Sequence, residues 1–240
     1  MKDFLVLDLG LRRYAEALSF QRRLAAARIA RRVAHDVLVL VEHPPVITLG
    51  RSTKAGNLLA TEALLAARGV ELYEVERGGD VTFHGPGQLV AYPIVDLTEH
   101  KQDLHWYLRQ VEDVIIRGVA PFGVVAERNP GKTGVWTNGR KLASIGVHAR
   151  SWVTWHGFAL NVGTDLSYFD LMVPCGIADV VMTSVTRELL DDASGTGVAP
   201  YPSLAHDVRE SVVQAFGQVF ERRAVHTTLE QIEPHLVETS

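Results

Sequence analysis

The chain has 240 residues, enough for one large domain or two small ones, and its 47% hydrophobic and 22% charged residues exclude collagen-like, coiled-coil and broadly disordered chains. Twenty-four Lys and Arg against 28 Asp and Glu leave a net charge of −4, which removes the bulk electrostatic case for a nucleic-acid binder. A single cysteine, Cys175, cannot form an internal disulfide, which rules out a secreted disulfide scaffold and points to a reducing compartment.

The first ten residues, MKDFLVLDLG, are interrupted by Asp8 and lack the apolar core and cleavage site of a signal peptide. No stretch reaches the length of a membrane span and neither end carries a lipidation motif, so a cytoplasmic location is expected. Residues 4–9 alternate like a short strand. Tyr14 to Ala34 reads as an amphipathic helix, with Ala17, Leu18, Leu24, Ala25 and Ile29 inward and Arg22, Arg23, Arg31 and Arg32 toward water. A buried strand at 37–42 is stopped by His43-Pro44-Pro45, and Val46–Leu49 restarts as another. Thr61 is placed to cap a helix from Glu62 to Arg68 that Gly69 closes, and Val70–Val75 follows as a strand.

From Arg77 to Gln88, RGGDVTFHGPGQ has loop chemistry. A strand at Leu89–Val95, a helix from Asp103 to about Val119, and strands near Val124–Ala126, Val135–Thr137, Lys141–Ala149 and Trp155–Val162 come next. Residues 191–202 look flexible, and a last helix runs from about Ser203 to Arg222. Strands come in pairs between helices rather than alternating strictly with them, which favours one α/β domain with a mixed or antiparallel sheet and flanking helices. That domain is expected over residues 1–224, with 225–240 as a C-terminal tail.

Few residue patterns point to chemistry. Cys175 lies between Pro174 and Gly176, a turn context that exposes the thiol and frees backbone N–H groups beside it for an oxyanion; an ordinary small buried hydrophobe is the competing reading. A reactive thiolate needs a cation or base nearby, and Lys141 is the candidate, because it starts an apolar strand just after the hairpin signal Asn138-Gly139. Plain surface lysine is its alternative, and Arg140 can stabilise charge but cannot act as a base. The segment RGGDVTFHGPGQ matches neither the P-loop nor the dinucleotide fingerprint; its glycines allow close backbone approach to a ligand while Arg77, Thr82 and His84 supply donors. The histidines are scattered without HExxH or a second cysteine, so no metal site is expected, and no GxSxG supports a serine triad.

Four segments in this order, RGGDVTFHGPGQLVAYP at 77–93, GVWTNGRKLASIGV at 134–147, HGFALNV at 156–162 and PCGI at 174–177 followed by TSV at 183–185, resemble the octanoyltransferases of lipoate biosynthesis. The resemblance implies a biotin/lipoate protein ligase-like domain. It further implies that an octanoyl group passes from acyl carrier protein to a lysine of lipoyl domains, those of 2-oxoacid dehydrogenase complexes and the glycine cleavage H protein, through a thioester on Cys175. Lys141 would favour the thiolate. Arg77, Gly78, Gly79, Asp80, Val81, Thr82, Phe83 and His84, then Ser144, Ile145 and Gly146, then Gly157, Phe158 and Ala159 would line the acyl pocket. No cofactor or metal is implied, and a monomer free of nucleic acid and membrane is expected. An ATP-dependent ligase of the same fold and a non-catalytic acyl-binding protein are the rival readings. The resemblance also implies acidic carrier substrates and hence a local basic face; Arg22, Arg23, Arg31 and Arg32 are one choice for it, with solvated helix surface the preferred reading of those four.

Overall fold

A computed structural model describes residues 1–177, 179–192 and 203–237, and most of the 191–202 stretch lies outside these. The described chain begins with β1 (Lys2–Leu11), α1 (Tyr14–Ile29), β2 (Asp36–Glu42) and β3 (Val46–Leu49). The middle comprises α2 (Glu62–Ala67), β4 (Glu71–Glu74), β5 (Thr82–His84), β6 (Gln88–Ile94) and α3 (Leu104–Val119). Then come β7 (Glu127–Asn129), β8 (Lys132–Thr137), β9 (Arg140–Arg150), β10 (Val153–Asn161), α4 (Val185–Asp192), α5 (Leu204–Phe220), β11 (Arg222–His226) and α6 (Leu229–Ile232).

Eight strands form one mixed sheet in the order β11-β1-β2-β6-β10-β9-β8-β7, parallel only at β11-β1 and β1-β2. Strand β2 shows why it is continuously apolar: Leu38 and Leu40 pack on the side covered by α3 and α5, while Val37, Val39 and Val41 pack on the side covered by α1. The expected mixed-sheet α/β architecture is therefore the one found. A second sheet, β4-β3-β5, stands beside the first over its own core of Ile47, Val81, Phe83, Phe169 and Met172.

Local signals act as chemistry requires at several ends. The Thr61 hydroxyl accepts from the Leu64 N–H at the start of α2, and the Asp103 carboxylate accepts from the His105 and Trp106 N–H groups at the start of α3. Other expectations need correction. Helix α1 stops at Ile29 rather than Ala34, because Arg31 turns left-handed at φ 60° and the Arg32 N–H folds back to the Ala27 carbonyl. Ile29 is exposed, and Arg28 is buried instead, held by Asp36 at 3.3 Å and Glu99 at 2.7 Å.

The strand expected at Val124–Ala126 falls three residues later, leaving Val125 84% exposed, since Pro130-Gly131 makes the turn that pairs Asn129 with Lys132. Residues 77–88 are not all loop: β5 pairs with β3 in their middle. The boundary drawn at 224 cuts β11, which adds a parallel edge to β1, and Ile232 and Leu236 beyond it pack into the α1 side of the core. Helix α4, after TSV, had no counterpart in the sequence reading.

Three buried histidines give the fold a pH dependence. Burial pushes His43 down from 6.5 to about 4 and His84 down from 6.5 to about 3, and burial lowers His156 as well. These folded-state values lie below the unfolded ones, so between about pH 6.5 and 4 the unfolded chain binds more protons. The contribution of these histidines to stability is expected to be complete above about pH 6.5 and to be lost as the pH falls through that window. The expected loss is up to about 1.4 kcal/mol per pH unit for each histidine, read as a falling urea midpoint between pH 7.5 and 5. A midpoint that stays flat over that range would show that the rings are already solvated in the native state.

Candidate active site

The β8–β9 hairpin sets one half of the site. Asn138 at φ 49° and Gly139 at φ 73° form the two-residue turn that the Asn-Gly signal predicts, pairing Thr137 with Arg140. Between Val135/Ala143 and Trp136/Lys141 the ladder shifts by one residue, so β9 carries a bulge at Leu142. Leu142 and Ala143 consequently both turn into the α3/α5 core, and Lys141 and Ser144 come to the opposite face together. The stem of Lys141 runs past Gly134, where a Cβ would sit 2.9 Å from the Lys141 Cε and where φ is +133°. Its ammonium lies 5.1 Å from the centre of the Trp136 ring.

The other half is the turn at Pro174–Gly176. Cys175 takes φ 56° and ψ 19°, a left-handed conformation uncommon for a residue with a Cβ, and its N–H donates to the Val81 carbonyl at 3.0 Å. Gly176 has φ +64°, and a Cβ there would lie 2.3 Å from the Asp80 Oδ2, so only glycine fits. Asp80 is itself fixed by the Asn57 amide at 2.6 Å and the Val81 N–H at 2.7 Å.

These halves meet at sulfur. Lys141, 1% exposed, donates from Nζ to the Cys175 Sγ at 2.9 Å, and the Ser144 Oγ lies 3.5 Å from the same sulfur. Such a buried lysine is not a plain surface lysine, and the half-exposed Cys175 is not a core hydrophobe. Arg140, the other basic candidate, pairs with Glu188 at 2.9 Å. The expectation that the cysteine turn leaves free backbone donors is wrong: the N–H groups of Cys175, Gly176 and Ile177 are taken by the carbonyls of Val81, Val173 and Pro174.

Behind the sulfur lies a cavity of about 260 Å³. Of the residues expected to line it, Arg77, Gly79, Asp80, Thr82, His84, Ser144, Ile145, Gly146, Gly157, Phe158 and Ala159 do so, and Gly78, Val81 and Phe83 do not. Strand alternation explains the exceptions. Thr82 and His84 face the cavity from β5, while Phe83 turns the other way to stack on Tyr168 at 4.5 Å, and Val81 joins it in the small-sheet core. Gly78 instead donates its N–H to the Val147 carbonyl at 2.8 Å, tying the loop to β9.

The cavity wall is more polar than a fatty chain alone requires. Arg77 is buried and bonded through Nε and Nη2 to Thr48, at 2.7 Å for the backbone carbonyl. Burial lowers its pKa, opposed by the nearby Tyr14 and Cys175. Burial pushes His84 down to about 3, and its Nδ1 is engaged by the Gln88 side chain at 2.8 Å while the ring stacks near Tyr14. Tyr14, Tyr92 and His156 also line the cavity and escaped the sequence reading. His156 stands first in the HGFALNV segment, whereas Tyr14 at a helix start and Tyr92 in a strand carry no chemical motif. Among the described residues, no group of three or more His, Cys, Asp or Glu side chains is placed to hold a metal ion. No helix among them is long and apolar enough to cross a membrane.

The lipoyl protein ligase A/B catalytic domain family matches residues 13–216. The chain is 54% identical over 216 residues to an octanoyltransferase of Gloeobacter violaceus, covering 90% of each chain, and 47% identical over 229 residues to one of Acidobacterium capsulatum, covering 90% and 89%. In fold it is similar to a bipartite lipoate protein ligase of Thermoplasma acidophilum, described together with its E2 lipoyl domain. That similarity has a TM-score of 0.70 at 16% identity, over 98% of this chain and 91% of the other.

Proposed function

The chain belongs to the octanoyltransferases of the lipoyl protein ligase A/B catalytic domain family, and on that premise we propose that it carries octanoyl from acyl carrier protein to a lysine of lipoyl domains through a thioester on Cys175. The observation that supports the covalent route is the Lys141 Nζ at 2.9 Å from the only sulfhydryl in the chain, at the edge of a cavity walled by β5, β9 and β10. The acceptor class is supported by the lipoyl domain named with the Thermoplasma ligase.

Proton bookkeeping assigns Lys141 to both halves of the reaction. The Cys175 thiolate attacks the carrier thioester carbonyl; the bond to the pantetheine sulfur breaks, and that sulfur leaves as a thiol with a proton from the Lys141 ammonium. Neutral Lys141 then takes a proton from the acceptor amine as it attacks the acyl-Cys175 carbonyl, and loss of the thiolate restores the starting ion pair. Thioester exchange is nearly balanced, and amide formation draws the sequence forward. With the cysteine-turn N–H groups occupied, the Ser144 hydroxyl is the donor beside sulfur for the developing oxyanion. Arg77 adds a second buried positive charge to the cavity wall.

Incubation with octanoyl carrier and no acceptor is expected to give one acyl adduct, located on Cys175 by peptide mass spectrometry and released by hydroxylamine. The amide on the acceptor lysine is expected to resist hydroxylamine. An adduct-free enzyme under turnover conditions overturns the covalent route, and exchange of pyrophosphate into ATP driven by free octanoate would make the chain a ligase instead.

A further inference from the structure

The backbone of Lys141 is not held by its hairpin partner. Its N–H donates to the Val181 carbonyl at 2.8 Å, and its carbonyl accepts from the Thr183 N–H at 2.9 Å, so the 181–183 segment holds both backbone groups of the residue along one edge. One buried carboxylate ties that segment to the hairpin. Glu188, 6% exposed in the first turns of α4, accepts from the Thr183 hydroxyl with one oxygen. With the other it accepts from the Asn138 amide at 3.0 Å and the Arg140 guanidinium at 2.9 Å. Asn138 is in the turn, and Arg140 immediately precedes Lys141. Helix α4 is itself anchored, since the Ser184 hydroxyl accepts from the Arg187 N–H and the Ser184 carbonyl from the Glu188 N–H.

We propose that Glu188 is a positioning residue for octanoyl transfer, a clamp that joins the 138–140 turn to Thr183 and so holds the Lys141 ammonium on the Cys175 sulfur. The clamp gives the TSV segment a purpose that its sequence alone did not reveal, and it deepens the proposed Lys141–Cys175 mechanism, on which it rests. The ammonium must reach sulfur at hydrogen-bond distance, and a shift of about 1 Å in such a pair is enough to lose much of its effect. Removing Glu188 would break the link between the Thr183 hydroxyl on one side and Asn138 and Arg140 on the other. Both sides flank Lys141, directly or across its backbone bonds.

The test reads the lysine–cysteine pair without substrate. The rate of Cys175 alkylation by iodoacetamide is followed against pH in wild type, Glu188→Ala, Glu188→Gln, Thr183→Val and Lys141→Ala, with melting temperature as the control for folding. Glu188→Ala is expected to slow alkylation at pH 7 on the order of tenfold and to move the profile toward higher pH. Its kcat should fall with little change in KM for the octanoyl carrier. Glu188→Gln, which keeps an acceptor for Arg140, and Thr183→Val, which removes one bond, are expected to shift the profile in the same direction by less. If Glu188→Ala does not fold, these two milder variants decide. A slowed Lys141→Ala beside wild-type profiles for the Glu188 and Thr183 variants overturns the clamp alone. An unchanged Lys141→Ala profile overturns the underlying pair, and the clamp with it.

Discussion

Replacing Cys175 by serine is expected to lower octanoyl transfer on the order of 10³-fold or more while leaving the chain folded. A hydroxyl fits where the thiol sits, keeps a lone pair for the Lys141 ammonium, and leaves the Cys175 N–H bond to Val81 untouched. What it loses is chemical. Serine is not ionised at neutral pH by a neighbouring ammonium, and an alkoxide is a far poorer leaving group than a thiolate when the acceptor amine attacks. Transfer, measured as octanoylated lipoyl domain per minute, is thus suppressed at both halves. Retention of a tenth or more of wild-type activity would mean that the acceptor lysine attacks the carrier thioester directly, with Cys175 a bystander. A folded, inactive serine variant that still binds octanoyl carrier would also set aside the non-catalytic acyl-binding reading, which tolerates this substitution.

Much of the architecture was legible because it rests on short-range rules. The apolar run at 37–41 needed two buried faces, and β2 has them; Thr61 and Asn138-Gly139 did as a cap and a hairpin turn what their chemistry dictates. What failed depended on distant partners. Arg28 is inside and Ile29 outside because Asp36 and Glu99, from β2 and the loop after β6, reach the guanidinium; helical spacing alone put the isoleucine inward. The arginines offered as one choice of basic face, against the preferred reading of solvated helix surface, have distant partners too. Arg22 is spent on Glu76 at 2.6 Å and Arg23 lies 3.6 Å from Glu233, so that face is partly neutralised by carboxylates far off in sequence.

The site divides along the same line. Cys175 and Lys141 could be singled out from their turn contexts, and four ordered segments tied them to one family. Their contact could not be read, because it depends on a bulge. Were β9 unbulged, regular alternation over the three residues from Lys141 to Ser144 would put the two on opposite faces, and only one of them could meet the sulfur. A bulge of this kind leaves no mark in composition or periodicity. The family resemblance assigned Val81 and Phe83 to the cavity with the rest of residues 77–84, and the loop reading of that segment held no strand to separate them; three residues of pairing with β3 are enough to turn Phe83 away.

Lys141→Met is expected to cost on the order of 10² to 10⁴-fold in transfer, and comparison with Lys141→Arg separates the two duties assigned to the lysine. Methionine fills the channel between Gly134 and Trp136 with a stem of similar length, so the loss is not one of packing. It removes the positive charge from the sulfur. An unassisted thiol is a few per cent thiolate at neutral pH, so alkylation of Cys175 is expected to slow by about tenfold or somewhat more at pH 7 and to recover as the pH rises. Arginine keeps a charge near sulfur but cannot give up its proton to act as the base. Alkylation in Lys141→Arg should thus stay closer to wild type than in Lys141→Met, while transfer to the acceptor lysine stays low in both. Single-turnover kinetics resolve the halves: Lys141→Arg is expected to acylate from octanoyl carrier, the pantetheine sulfur leaving as a thiolate that solvent protonates, and then to stall, accumulating the Cys175 thioester, because no neutral amine is present to take the acceptor's proton. If Lys141→Arg clears its thioester at the wild-type rate, proton transfer in the second half belongs to another group or to water, and Lys141 is left with the electrostatic role alone.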